Sequence, residues 1–143
     1  MDASIRIVIA DDHHGFRTGV AELLSGEPDM CVVGQGASAA EAVDLATTCR
    51  PTLVLLDLDM PGGGINALRA IQQASPLVKA VVLTVSASED DLLAAFQAGA
   101  SGYILKGVSA RQLTGILRAV ATGGSYAPQP FTALLANDRV TKM

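Results

Sequence analysis

The sequence predicts an α/β fold in which helices cover both faces of one five-stranded parallel sheet. Two observations predict it. Short apolar segments alternate with segments of helical apolar spacing, and this pair recurs five times within the first 124 of 143 residues. The short segments are apolar at nearly every position, as in strands buried on both faces. Because crossovers between parallel strands are right-handed, the five strand–helix pairs are expected to form one doubly wound sheet. This sheet is expected to make up a single domain.

The strands are predicted from apolar runs that end at glycine or at polar residues. The first run is interrupted only by Arg6, and the third is wholly apolar after Pro51. In chain order, the strands are expected at residues 5–10, 30–34, 53–56, around 81–83, and 102–105.

The helices are predicted from apolar spacing together with capping residues. Ser38 with Glu41, and Ser109 with Gln112, have the spacing of a capping box, while Ser88 precedes a further helix. Glycines at 26, 99 and 123–124 can end three of the helices. In chain order, the apolar stripes or helices are expected at about 16–24, 39–49, 65–71, 89–96 and 113–120.

Composition narrows the classes of function. Fourteen acidic against ten basic residues give a net charge of −4, and aromatic residues make up 3%, so the chain is not expected to bind nucleic acid directly. No apolar run is long enough to cross a membrane, and the acidic start is unlike a signal peptide, which favours a cytoplasmic protein. Cys31 and Cys49 lack metal-ligand spacing and are expected to be reduced and structural.

Polar side chains follow four of the five predicted strands. Because the carboxyl ends of parallel strands meet at one edge of a sheet, these groups are expected to lie together. Crowded carboxylates repel one another, and Lys106 with a divalent cation such as Mg²⁺ would neutralise them. Such a site suits phosphoryl transfer to a carboxylate nucleophile. The residues are Asp11, Asp12, Asp57, Asp59, Thr84, Ser86 and Lys106.

Simpler roles compete for some of these residues. Asp12 is placed to cap the first helix, and Thr84 is an ordinary strand residue. Lys106 also fits a surface position. Asp57 is harder to explain structurally, because an unpaired carboxylate at the end of a wholly apolar strand is costly to bury. His13 and His14 adjoin the acids, but neighbouring residues at a helix start do not face one way, so metal ligation by them is not expected.

Several motifs together resemble the receiver domain of two-component response regulators. They are Asp11–Asp12, DLDMPG with Asp57, LTVSAS with Thr84 and GYILKG with Lys106. The resemblance covers about residues 4–124. It is closest to the NarL/FixJ type of transcriptional regulator, through DDHHGFRTGVAELL, PGGGINALRAI and LKGVSARQLTGILRAVATGGSY. It implies a flavodoxin-like receiver fold with strand order 2-1-3-4-5.

The resemblance also implies roles for individual residues. Asp57 accepts a phosphoryl group from a sensor histidine kinase. Mg²⁺ binds Asp12, Asp57 and the backbone carbonyl of Asp59 directly, with Asp11 acting mostly through metal-bound water. Lys106 and Thr84 contact the phosphoryl group, and Tyr103 is a switch aromatic that turns inward. Tyr103 also fits simple core packing.

Three positions depart from the common receiver pattern. Gly107 follows Lys106 where a cis proline is frequent, and a cis bond to any other residue costs about 2.5–4 kcal/mol. The loop after Pro61 is three glycines, which are expected to make it floppier. Asp59 adds an acidic side chain that is expected to raise metal affinity and to disfavour an anionic phosphodonor.

The sequence therefore predicts a receiver at residues 1–124 and a tail or linker at 125–143 with a short helix at 131–136. The expected function is phosphorylation-controlled regulation of transcription, through a DNA-binding domain outside this chain. It would not be an enzyme beyond its own phosphorylation and dephosphorylation. Dimerisation is expected through the fourth helix, fifth strand and fifth helix, or through the first and fifth helices.

Three alternative functions remain open. The first is a stand-alone receiver that acts as a phosphorelay shuttle or phosphate sink. The second is a haloacid-dehalogenase-type phosphatase using Asp57 and Asp59, and the third is a flavodoxin-like nucleotide binder, which the acidic edge disfavours.

Overall fold

The computed structural model describes residues 5–129 and residue 131. Strands and helices alternate throughout, which confirms the predicted α/β class. The elements are β1 (Ile5–Ala10), α1 (His14–Ser25), β2 (Met30–Gly36), α2 (Ala39–Cys49), β3 (Leu53–Leu56), α3 (Gly64–Ala74), β4 (Lys79–Thr84), α4 (Glu89–Gln97), β5 (Gly102–Leu105) and α5 (Ala110–Ala121).

The five strands form one parallel sheet in the order β2-β1-β3-β4-β5, which confirms the expected order. Ala10 lies opposite Leu56 at the carboxyl ends of the two central strands. Backbone hydrogen bonds continue just past these ends. The N–H of Asp57 donates to the Ala10 carbonyl at 3.0 Å, and the N–H of Lys106 donates to the Thr84 carbonyl at 2.9 Å. The sheet therefore fixes the backbone of the residues that follow it.

The apolar core has two halves, one on each face of the sheet. Helices α2, α3 and α4 cover one face, and α1 and α5 cover the other. Strand β3 serves both halves, with Val54 and Leu56 on the first face and Leu53 and Leu55 on the second. All four are buried. This two-sided burial explains why the strand is apolar at every position.

Several elements are longer than their apolar patterns predict. Strand β2 runs to Gly36, because β1 continues to pair with it as far as Ala10 opposite Gly36. Helix α3 extends beyond its apolar stripe at both ends. Apolar spacing marks only the buried part of an element, so pairing and backbone hydrogen bonding decide the rest.

The helix starts confirm two caps fully and one in part. Ser109 and Gln112 form the complete reciprocal box, and Ser88 caps α4. At α2, Ser38 accepts from the Glu41 N–H as expected, but the Glu41 carboxylate accepts from the N–H of residue 37 at 2.6 Å. The second half of that box therefore lies one residue early.

The chain after α5 returns to the sheet. The N–H of Tyr103 donates to the Tyr126 carbonyl at 2.9 Å, and the N–H of Tyr126 donates to the Ser101 carbonyl at 3.2 Å. Phe131 is buried against the first half of the core. The predicted helix at 131–136 lies, apart from Phe131, outside the described residues.

Two further expectations concern the cysteines and the membrane. Cys31 and Cys49 are free thiols. Cys49 packs against the first half of the core, whereas Cys31 is exposed, so a packing role holds only for Cys49. Within residues 5–129, no helix combines the length and apolar character needed to span a bilayer.

The glycines after Pro61 are needed for close packing. Gly62 has φ of +88°, a conformation that other residues rarely adopt. A Cβ at Gly64 would overlap the carbonyl oxygen of Asp57 and would lie 2.5 Å from the Cα of Leu58. The start of α3 is therefore pressed directly against the loop that carries Asp57.

Replacing Gly64 with alanine is expected to destabilise the fold by about 1–3 kcal/mol, because backbone must shift to admit the methyl group. Gly19→Ala is the matched control, since no atom lies within 4 Å of a Cβ there. Within helix α1, that change is expected to add about 0.5–1 kcal/mol of stability. Urea unfolding of both variants measures the difference. Equal midpoints would contradict the close contact at Gly64.

Candidate functional site

The predicted site residues gather at the carboxyl ends of β1, β3 and β5. Asp11 and Asp57 follow neighbouring strands and are only 3% and 2% exposed. Lys106 follows β5, and its side chain is 11% exposed. Asp12, the next residue after Asp11, is more accessible, with 38% of its side chain exposed. The structure thus brings together groups from three separate parts of the chain.

Lys106 joins the two buried carboxylates. Its Nζ lies 2.9 Å from Asp11 Oδ2 and 2.9 Å from Asp57 Oδ2. The ammonium also lies 4.4 Å from the centre of the Phe16 ring, a favourable cation–π distance. Phe16 was expected only as part of an apolar helix stripe, and no local pattern marks its contact with a lysine 90 residues later.

The carboxylate of Asp11 is held from both sides. In addition to the Lys106 contact, Oδ1 accepts from the His13 N–H at 2.9 Å. Arg17 Nη1 donates to the Asp11 backbone carbonyl at 2.7 Å. The loop between β1 and α1 is therefore fixed by its own backbone, by the Arg17 side chain of α1 and by Lys106.

These contacts shift the pKa values of both partners. Burial by itself would raise the pKa of Asp11, but hydrogen bonds from Lys106 and His13 outweigh it and hold that pKa below its ordinary value of 3.8. Burial likewise opposes the charged form of Lys106. The hydrogen bonds and charges of Asp11 and Asp57 nevertheless raise the pKa of Lys106 above its ordinary 10.5. The site therefore favours the charged forms of Asp11 and Lys106.

The donor set fits a divalent cation. One ligand atom each from Asp11, Asp12, His13 and Asp57 lies within 4.8 Å of the other three. Three carboxylates face one ammonium, so negative charge remains for an ion to neutralise. Asp59 is exposed, and its N–H approaches Asp57 Oδ1 at 3.4 Å. The carboxylate of Asp59 is not part of this cluster.

Thr84 and Tyr103 are linked through Ser86. The buried Thr84 hydroxyl accepts from the Ser86 N–H at 3.3 Å, and the Tyr103 hydroxyl donates to the Ser86 carbonyl at 2.9 Å. Burial raises the pKa of the fully buried Tyr103, and the charges of Asp91 and Asp57 raise it further. Sequence reasoning placed Ser86 at the edge but assigned it no role in this connection.

The two histidines have different surroundings, as expected for neighbours at a helix start. His14 Nδ1 lies 3.1 Å from Arg17 Nη2. His13 Nδ1 lies 3.0 Å from Asp11 Oδ1 and 3.3 Å from Asp12 Oδ1. His13 therefore faces the acidic pocket, which is formed by the carboxylates of Asp11, Asp12 and Asp57. Sequence spacing alone could not indicate which histidine does so.

The sequence is similar to those of known response regulators. Residues 7–118 match the family model described as the response regulator receiver domain. Over 131 residues the chain is 37% identical to the nitrate/nitrite response regulator protein NarL of Escherichia coli (strain K12), covering 91% of this chain and 61% of NarL. It is 40% identical over 123 residues to the transcriptional regulatory protein DegU of Brevibacillus brevis, covering 85% and 52%.

A solved structure agrees with the fold. The crystal structure of a two-component response regulator of the LuxR family from Aurantimonas sp. SI85-9A1 superposes with a TM-score of 0.87 at 33% identity, covering 96% of this chain and 99% of that one. The chain spans 61% and 52% of the lengths of NarL and DegU.

Removing the Lys106 charge is expected to raise the pKa of Asp11. In the wild type, the lowered pKa stabilises the fold above about pH 3.8, and this contribution is lost as pH falls through the folded pKa. In Lys106→Met, burial of Asp11 remains while its main partner is gone. NMR titration of the Asp11 carboxyl carbon in metal-free buffer measures the change, with Lys79→Met as the control. An Asp11 pKa that is equal in both variants would contradict the assignment.

Proposed function

The chain belongs to the response regulator receiver domain family and is of the NarL/FixJ type, and on this premise we propose that it is a phosphorylation-controlled switch with Asp57 as phosphoryl acceptor. The observation that carries the proposal is the 2.9 Å contact between Asp57 Oδ2 and Lys106 Nζ at the acidic pocket. This contact fixes the position of the buried carboxylate. It also places a cation beside the group whose charge would change on phosphorylation.

The proposed reaction is transfer from a phosphohistidine of a sensor kinase. A carboxylate oxygen of Asp57 attacks phosphorus, and a P–O bond forms as the P–N bond breaks. The departing imidazole nitrogen keeps the electron pair and takes a proton, which leaves an acyl phosphate on Asp57. Lys106, already paired with Asp57, remains close enough to stabilise the added phosphoryl oxygens.

The acidic residues are proposed to bind the metal ion and to position Lys106. We assign Asp12, Asp57 and the backbone carbonyl of Asp59 as direct ligands of Mg²⁺, with Asp11 acting mainly through bound water. When present, Mg²⁺ would offset the charge of the carboxylates and of the phosphoryl oxygens. Asp11 also holds Lys106 in place, through its 2.9 Å contact with Nζ.

Thr84 and Tyr103 are proposed to report the phosphorylated state. A Thr84 hydroxyl that turns to a phosphoryl oxygen gives up its contact with the Ser86 N–H. The Ser86 carbonyl is the acceptor for the Tyr103 hydroxyl, so this change alters the hydrogen bonding of Tyr103. The shift then reaches the surface of α4, β5 and α5, which is proposed for dimerisation, with α1 and α5 as the second candidate.

We propose that the output is regulation of transcription. Two relatives are named as a nitrate/nitrite response regulator and a transcriptional regulatory protein, and this chain spans about half to three fifths of their lengths. The net charge of −4 makes direct DNA binding by this chain unfavourable. A DNA-binding domain joined through residues 125–143 would supply that activity, and a stand-alone phosphorelay receiver is the other form of the proposal.

A phosphatase of the haloacid-dehalogenase type finds less support. It requires the Asp59 side chain to act with Asp57, whereas the Asp59 carboxylate lies outside the acidic cluster. We therefore propose no turnover beyond phosphorylation and dephosphorylation of Asp57 itself.

Incubation with Mg²⁺ and acetyl phosphate is expected to add one phosphoryl group to the wild type, as seen by intact-protein mass. Asp57→Asn is expected to abolish the gain, because the amide is a poor nucleophile. Asp44→Asn removes an exposed carboxylate on α2 and is expected to leave the gain unchanged. Phosphorylation that persists in Asp57→Asn would overturn the assignment.

The Asp59 side chain is expected to strengthen metal binding and to slow an anionic donor. Asp59→Asn should therefore weaken Mg²⁺ binding and speed phosphorylation by acetyl phosphate, since one exposed negative charge is removed two residues after Asp57. Calorimetry and the mass assay measure the two effects. If neither changes, the charge of Asp59 plays no part in the site.

A further inference from the structure

His13 stands at the start of α1, at a position that usually holds a capping side chain. It is the N-cap of α1, where Ser, Thr, Asp or Asn usually accepts a hydrogen bond from the first turn, and its side chain makes no such bond. Its ring instead faces the acidic pocket. Nδ1 lies 3.0 Å from Asp11 Oδ1, 3.3 Å from Asp12 Oδ1 and 3.7 Å from Asp57 Oδ2.

The imidazole nitrogen is placed as a ligand atom. It and one oxygen from each of three carboxylates lie within 4.8 Å of one another, a spread that a single ion can bridge. The His13 side chain is 58% exposed, so the ring can adjust without disturbing the core. The N–H of His13 also donates to Asp11 Oδ1, which fixes its backbone beside the pocket.

We propose that His13 is a nitrogen ligand of the metal pocket and raises its affinity for a divalent transition-metal ion relative to its affinity for Mg²⁺. This inference rests on the proposed function only in requiring that the acidic pocket holds a metal. Carboxylates serve Mg²⁺ and Mn²⁺ alike, whereas an imidazole nitrogen suits transition metals and adds little for Mg²⁺, which prefers oxygen. His13 thus determines metal preference, while the acids provide charge.

A simple ion pair is the competing explanation. A protonated His13 beside three acids would act as a second cation and would move away when a metal enters. In that case the metal has only oxygen ligands from the protein. The two explanations differ in one direct property, which is whether nitrogen from residue 13 is bonded to the ion.

Mn²⁺ is the probe, because its unpaired electrons detect bonded nitrogen. The full chain is studied as wild type, His13→Asn and His14→Asn, by electron spin-echo spectroscopy and by titration with Mn²⁺ and with Mg²⁺. Asparagine is a good N-cap, so His13→Asn keeps the start of α1. His14 lies against Arg17 and outside the metal cluster, which makes it the matched control.

The expected result is a histidine nitrogen coupling in the wild type and in His14→Asn that is absent from His13→Asn. Mn²⁺ affinity of His13→Asn should fall by a larger factor than its Mg²⁺ affinity, because the imidazole nitrogen contributes little to Mg²⁺ binding. No nitrogen coupling in the wild type, or an unchanged Mn²⁺/Mg²⁺ preference in His13→Asn, overturns the proposal.

The same wild-type sample separates this inference from the proposed function. If it gains a phosphoryl group with Mg²⁺ and binds Mn²⁺ without nitrogen coupling, only the role of His13 is wrong. If it binds neither ion and gains no phosphoryl group, both are wrong.

Discussion

The ammonium of Lys106, held between the carboxylates of Asp11 and Asp57, is the interaction on which the site depends. Two carboxylates that are nearly inaccessible to water at adjacent strand ends would repel each other and pay a large desolvation cost if left unpaired. Lys106 reduces both penalties with two contacts of 2.9 Å. Because it comes from β5, across the sheet from β1, its contact with Asp11 also ties distant parts of the fold together.

The sheet makes this arrangement possible by fixing backbone rather than side chains. Backbone hydrogen bonds reach Asp57 from the end of β1 and Lys106 from the end of β4. The start of α3 at Gly64 packs directly under Asp57, with no room for a side chain. The inner side of the acidic pocket is therefore fixed by backbone contacts, while the side chains of Asp12 and His13 are exposed on its open side.

A second network runs from the same edge of the sheet toward the surface. Thr84 and Tyr103 share Ser86 as a hydrogen-bonding partner, and the backbone of Tyr103 is also bonded to Tyr126 in the returning chain. The Ser86 hydroxyl also donates to the Asp91 carboxylate of α4, so Ser86 joins Thr84 both to α4 and to Tyr103. These hydrogen bonds therefore connect the end of β4 with β5 and with the segment that follows α5.

Local sequence patterns predicted the fold class, the five strands, most helix starts and the acidic edge, since apolar period and capping spacing are local properties. Asp57 also stood out, because a carboxylate after a wholly apolar strand demands a partner. Packing in three dimensions places Phe16 against Lys106, joins Thr84 to Tyr103 through Ser86, and turns His13 rather than His14 toward the acids. These contacts depend on side-chain direction and on packing between distant segments, and neither leaves a periodic trace along the chain.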